Sequence, residues 1–220
     1  MSTVTVNLKT VEKVGVLHTI ADKLYEQNYN IIHTHLFLRD NSGRIYMEIT
    51  GVDCADDVVK CISEVPDVIS VELQQTLHAS FGKRVIVLGD GEVMAQTIQA
   101  AIIEAESHNM SGETISVDGM IIGGGSEIQE SIKSLEQLPR VEALVLSGSM
   151  MGGMISDEIV KLKENNEDLI IISVDMMGDL SSVVDHVIND PKQAGIMAVK
   201  LISDKDYYAD EILDNKFLNK

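Results

Sequence analysis

The densest grouping of anion-seeking donors in this 220-residue sequence is Ser147-Gly148-Ser149 followed by Gly152-Gly153. Two short hydroxyls sit among glycines that leave backbone N–H groups free to point at a phosphate or carboxylate. Three further loops follow apolar runs in the same way: Gly89-Asp90-Gly91, Gly124-Gly125-Ser126 and the stretch opened by Asp175. None is a Walker A loop, since no GKS or GKT follows, and the first of them lacks the GxGxxG of a dinucleotide turn. Glycines at such junctions also serve simply as turns. Upstream, Gly15 lies between a strand-like and a helix-like segment, where backbone N–H groups and the helix's partial positive charge suit a carboxylate. A tight turn there, and β entry at Asn30, account for these residues equally well.

Asp90, Asp118 and Asp175 all fall close to expected strand ends, where converging carboxylates can recruit Mg²⁺, though Asp also caps helices and fills turns. His33 and His35 share one face of an expected strand, a spacing that can hold a metal, but no third ligand is near unless His18 approaches. No metal and no cofactor are therefore expected. There is no Ser-His-Asp, HExxH or CxxC arrangement, and His108 and His186 stand isolated, with a surface or capping role as their default. Cys54 and Cys61 read as two small hydrophobes. Met150, Met151 and Met154 fit either a core or a partner surface.

The elements that must position these residues follow from periodicity. Val4, Val6 and Leu8 alternate as a strand, and Val16, Leu17, Ile20, Ala21 and Leu24 recur at helical spacing. Residues 30–38 and 44–52 read as a hairpin across the polar turn 40–43; a helix over 53–64 stopped by Pro66 and a strand over 68–73 complete a βαββαβ order. From residue 84 the pattern changes. Apolar runs at 84–88, 114–117 with 120–122, 142–146 and 169–174 each precede a glycine or aspartate loop and a helical segment. A last strand ends at Ile188, and Asp190-Pro191 opens a helix. Continuous apolar strands alternating with helices predict a parallel sheet of about five strands, with ligands beyond the strands' carboxyl ends. The segment 78–83, short and polar, separates the two patterns, which places domains at 1–78 and 82–220.

The composition excludes several classes. It is 45% hydrophobic and 24% charged, so a real core can be built, and a net charge of −18 repels nucleic acid and anionic membranes alike. Only 3 Phe and 5 Tyr, with no Trp, leave few platforms for stacking bases. No apolar run approaches the ~20 residues of a membrane span, and MSTVTVNLKT lacks the order of a signal peptide, so a soluble, cytoplasmic chain is expected.

Over residues 3–77 the sequence resembles the ACT domain, a small-molecule-binding regulatory module attached to many enzymes and regulators of amino-acid metabolism. Glu12-Lys13-Val14-Gly15-Val16-Leu17 looks like the family's acidic-x-x-Gly-x-Leu loop, and Asn30-Ile31 like the Asn-Ile that opens its second strand. The usual Asp is Glu12 here, and Val14 stands where many members carry Pro. The resemblance implies a ferredoxin-like fold, an amino-acid ligand held by Glu12, Val14, Gly15, Val16, Leu17, Asn30 and Ile31, and homodimerisation through side-by-side domains. Residues 84–205 resemble an archaeal family of uncharacterised domains found directly after an ACT domain, on Gly89-Asp90-Gly91, Ile115-Ser116-Val117-Asp118, Leu146 through Gly153 and Asp190 through Gly195. The expected fold class is thus α/β: an N-terminal ferredoxin-like ACT domain plus a C-terminal Rossmann-like α/β sandwich. The expected function is a non-catalytic sensor of an amino acid or related metabolite; the alternative is an Mg²⁺-dependent enzyme acting on a phosphorylated or carboxylated metabolite under ACT control.

Overall fold

A computed structural model of the chain describes residues 2–122, 126–148, 155–174 and 179–203. The chain divides into two compact units, Met1–Ser80 and Phe81–Lys220. The first runs β1 (Ser2–Val11), α1 (Val16–Glu26), β2 (Asn30–Arg39), β3 (Ser42–Val52), α2 (Ala55–Ser63) and β4 (Val68–Gln74), followed by a short helix α3 (Leu77–Phe81). Its four strands form an antiparallel sheet in the order β2-β3-β1-β4. Period-two alternation sends Val4, Val6 and Leu8 of β1 and Ile45, Met47 and Ile49 of β3 to one face, where Val16, Ile20 and Leu24 of α1 and Val58 and Ile62 of α2 cover them. Each such aliphatic side chain contributes about 1.5–3 kcal/mol of burial. The hairpin is tighter than the four-residue turn expected: only Asp40 and Asn41 lie between the strands, at φ 52° and 54°. Two left-handed residues make a type I′ turn, which matches strand twist and which Asp and Asn tolerate.

The opposite face of this sheet carries Thr5, Asn7 and Lys9 beside Arg44, Tyr46 and Glu48. The connector expected to be patternless is helix α3, too short for a 3.6-residue period to declare itself. It is tied to that face: the Leu77 N–H donates to Tyr46 Oη at 2.9 Å, and Tyr46 Oη donates to Glu48 Oε1. Burial first, and then the Glu48 hydrogen bond, push the Tyr46 phenol up to about 12.

The second unit continues with β5 (Lys83–Gly89), α4 (Gly91–Met110), β6 (Ile115–Ile121), α5 (Ser126–Leu135), β7 (Val141–Ser147), α6 (Ser156–Asn165), β8 (Ile170–Val174), a 3₁₀ turn (Asp179–Ser182), β9 (His186–Ile188) and α7 (Pro191–Ile202). Its described strands form a parallel sheet in the order β6-β5-β7-β8-β9. The two strand-like pieces read at 114–122 are one strand, β6, running through Gly119. Small and large side chains separate by face. Val85, Val87, Ala143 and Val145 meet α4 and α7, whereas Ile86, Leu88, Leu144 and Leu146 meet α5 and α6. The small face lets α4 and α7 approach closely: a β-carbon at Gly195 would collide with the Thr97 carbonyl and stand 2.8 Å from the Ala101 nitrogen. Asp190 caps α7, its Oδ1 accepting the Gln193 N–H at 2.9 Å, with Pro191 in the first turn.

Candidate functional site

In the first unit, Gly15 ends the β1–α1 loop at φ 90°, ψ −4°, a left-handed conformation that favours glycine. Its carbonyl accepts the Thr19 N–H at 3.0 Å and the Thr19 hydroxyl at 3.2 Å. No side chain caps α1 and no acidic residue lies in its first turn, so its leading N–H groups and partial positive charge face outward. Val16 is buried under the helix, whereas Glu12 is exposed, Val14 is 99% exposed and Leu17 39%. The loop therefore offers a donor cluster rimmed by bare apolar side chains.

Asn30 and Ile31 do not join it within one chain. Asn30 pairs with Thr50 at the sheet end that holds Ser2 and Val52, while Gly15 follows Val11, which pairs with Ser42 at the other end. The 11 residues of α1, about 16 Å, lie between them. The strand that spans this distance is β2, an unpaired edge whose ten residues carry one formal charge, Arg39. Ile32, Leu36 and Leu38 along it are 52%, 46% and 59% exposed. Such an edge is a template for pairing.

In the second unit, the strand order puts the topological switch between β5 and β7, and so brings two of the expected loops together. Asp90 N–H donates to the Ser147 carbonyl at 3.2 Å, and a β-carbon at Gly89 would collide with that same oxygen. Gly148, at φ 128°, lies against the Asp90 carboxylate, where a β-carbon would also collide. Gly91 opens α4 at φ 63°. Close approach and left-handed backbone thus explain these glycines locally. Ser147 does not offer its hydroxyl to a guest: it is fully buried, 3.1 Å from Thr97 Oγ1, whose own proton goes to the Val93 carbonyl at 2.9 Å. Ser126 begins α5. Gly124, Gly125, Ser149, Gly152, Gly153 and Asp175, with Met150, Met151, Met154 and the segment after Ser203, lie outside the described residues.

Some other candidates are placed differently from their sequence reading, whereas His33 and His35 share one face of β2 as their spacing predicts. Asp118 is not at a strand end: it pairs in register with Ile86 within β6, and its carboxylate accepts from Arg84 Nε. Among the described residues no three His, Cys, Asp or Glu side chains are grouped to hold a metal. His33 stands edge-on to Tyr46 and His35 beside Phe37, while His18 rides on α1, across the sheet from them. Cys54 is exposed rather than packed, and Cys61 is half-buried, its thiol pushed up by that burial.

His108 is neither at the surface nor a cap. It is 3% exposed, with Nε2 3.4 Å from Glu104 Oε1 and Nδ1 3.2 Å from both Glu113 Oε2 and Ser203 Oγ; Ser203 Oγ also donates to Glu113 at 2.7 Å. This group latches α4, the loop before β6 and the end of α7 together, away from the strands' carboxyl ends. Only the i, i+4 spacing of Glu104 and His108 is visible in sequence; Ser203 is 95 residues from His108. On the other side of the sheet, Met120, Ile122, Leu135 and Leu138, together with Glu130, Ser131 and Ser134, line a groove of about 520 Å³ between β6 and α5.

An antiparallel-sheet unit followed by a parallel-sheet α/β unit is the class of protein this fold defines. The chain belongs to the DUF5612 family, a domain of unknown function whose model matches residues 74–217. It is 39% identical over 201 residues to an uncharacterized protein of Methanocaldococcus jannaschii, covering 90% of this chain and 92% of that one. It is 38% identical over 198 residues to an uncharacterized protein of Archaeoglobus fulgidus, covering 88% and 89%. Among solved structures, the ACT domain of the GTP pyrophosphokinase of Chlorobium tepidum is similar to part of the chain, at 19% identity and a TM-score of 0.29, covering 33% of this chain and 96% of that one. No helix among the described residues is long and apolar enough to cross a membrane.

Proposed function

We propose that residues 1–78 form an ACT-type regulatory module that binds an amino acid, or a related small carboxylate, between two copies of the chain, and that residues 82–220 pass its occupancy on as a non-catalytic sensor. The observation that carries this reading is the placement of Gly15, after β1, and Asn30, at the start of β2, at opposite ends of a sheet whose edge strand β2 is exposed and apolar. A two-fold axis beside β2 runs the partner's β2 antiparallel, so each Asn30 end meets the partner's Gly15 end. Ile32, Leu36 and Leu38 then lose their exposure, and the open N-terminus of α1 faces a closed space. The uncapped N–H groups suit an α-carboxylate; Val14 and Leu17 suit a modest apolar side chain. In this reading both the ligand and the dimer are needed to complete the site.

A thermal-shift panel of the twenty amino acids on the full chain tests it. Ligand at ~100 times Kd adds about 2.7 kcal/mol of stability, so one or a few amino acids should raise the melting temperature clearly, and Gly15→Val and Asn30→Ala should each remove the shift. A chain that sediments as a monomer and responds to no amino acid at millimolar concentration contradicts the proposal.

A further inference from the structure

The face of the antiparallel sheet opposite α1 and α2 carries a feature unrelated to the Gly15 loop. Phe37, Arg44, Lys9 and Ser70 form one row across all four strands, because Phe37 pairs with Arg44, Arg44 with Lys9, and Lys9 with Ser70. Two cations directly opposite on adjacent strands repel each other, and opposed like charges are normally avoided in sheets. Both are half-buried, and neither side chain makes a hydrogen bond or ion pair among the described residues. Arg39, two residues along β2 from Phe37, brings a third cation to the same cavity of about 340 Å³, its own partner being a 3.8 Å contact with exposed Asp40. The Lys and Arg residues of the first unit are Lys9, Lys13, Lys23, Arg39, Arg44 and Lys60. Half of them thus share one cavity, in a chain whose net charge is −18.

We infer that this cavity is a second ligand site, for a small phosphomonoester. Its volume lies at the small end of the ~300–1,000 Å³ typical of ligand pockets. Lys9 and Arg44 supply the adjacent positive charges that a dianion requires, and the Arg44 and Arg39 forks can each donate two parallel hydrogen bonds to phosphate oxygens. Asn7 and Ser70 add neutral polar contacts, and Phe37 and Tyr46 supply apolar walls. Glu72 lines the β4 side of the cavity. It repels phosphate there, so the phosphate lies toward Arg39 and Arg44, and the carboxylate accepts hydrogen bonds from hydroxyl or amino groups at the ligand's other end. A phosphorylated sugar or polyol has that polarity. A site so built relieves in the bound state the repulsion that the free sheet carries.

The test is calorimetric titration of the full chain with ribose 5-phosphate and with inorganic phosphate, comparing Lys9→Gln, Arg44→Gln, Lys9→Arg and, as a control at an exposed position of α2, Lys60→Gln. Saturable binding of ribose 5-phosphate is expected, with weaker binding of phosphate. It should fall at least tenfold in Lys9→Gln and Arg44→Gln and persist in Lys9→Arg and Lys60→Gln. The two glutamine variants should melt no lower than the parent without ligand, since they remove a repulsion. Absence of saturable binding of either probe overturns the inference, as does binding that survives both glutamine substitutions, which would place the anion at the loops of the parallel sheet. Amino-acid binding at the Gly15 loop is read separately and does not bear on either result.

Discussion

Gly15 and Gly89 both stand at strand-to-helix junctions, yet substitution acts on them through different physics. A β-carbon at Gly15 would meet nothing within 4 Å, so Gly15→Ala costs only the left-handed backbone, about 1 kcal/mol. At Gly89 a β-carbon would strike the Ser147 carbonyl and force β5 and β7 apart, for about 1–3 kcal/mol. Urea unfolding of the two variants should rank them in that order. Equal midpoints would mean that the loops relax independently of the strands. Tyr46 gives a prediction with a pH window. Its phenol binds its proton more tightly folded, at about 12, than at the usual 10, so the unfolded chain deprotonates first as pH rises. The contribution is intact below pH 10 and is lost between 10 and 12. Melting temperature should fall across that window, and the fall should be shallower in Tyr46→Phe; parallel curves for the two proteins would refute the assignment.

At the scale of elements, α3 and the end of α7 make polar contacts that no periodicity announces. Tyr46→Phe removes the nearer of the two oxygens that accept the Leu77 N–H and leaves only Glu48 Oε1 at 3.4 Å, so amide exchange at Leu77 should accelerate while that of the β1–β3 ladder stays unchanged. His108→Ala leaves Glu104, Glu113 and Ser203 without their shared partner and should destabilise the second unit by about 1–3 kcal/mol, with exchange rising first at the end of α7. A variant as stable as the parent would show the cluster to be idle. These contacts mark the limit of what the sequence discloses. The alternation of Val4, Val6 and Leu8 and the apolar run Val85 to Leu88 declare their strands, since burial imposes a period on neighbouring residues. Lys9 against Arg44, or His108 beside Ser203, depends on register and helix packing between distant segments, and no local pattern encodes that. The same holds for the loops: Gly89-Asp90-Gly91 and Ser147-Gly148 were visible as candidates one by one, but only the strand order β6-β5-β7-β8-β9 makes them neighbours.

For the whole molecule, the proposed amino-acid site depends on assembly. The residues that resemble a ligand loop, Glu12 to Leu17, and those that open β2, Asn30 and Ile31, lie at two ends of one antiparallel sheet whose edge strand β2 is apolar and exposed. If the site is shared, two defective chains must repair each other. Gly15→Val and Asn30→Ala, each unable to bind, are mixed, dissociated and allowed to re-pair, and binding of the amino acid found by thermal shift is then titrated. A random mixture places half the chains in mixed dimers, each with one site made of two intact halves and one made of two damaged halves. About a quarter of the sites should recover, with the parent's affinity. No recovery, with both variants shown to be folded and dimeric, would contradict a shared site and put Gly15 and Asn30 in separate roles.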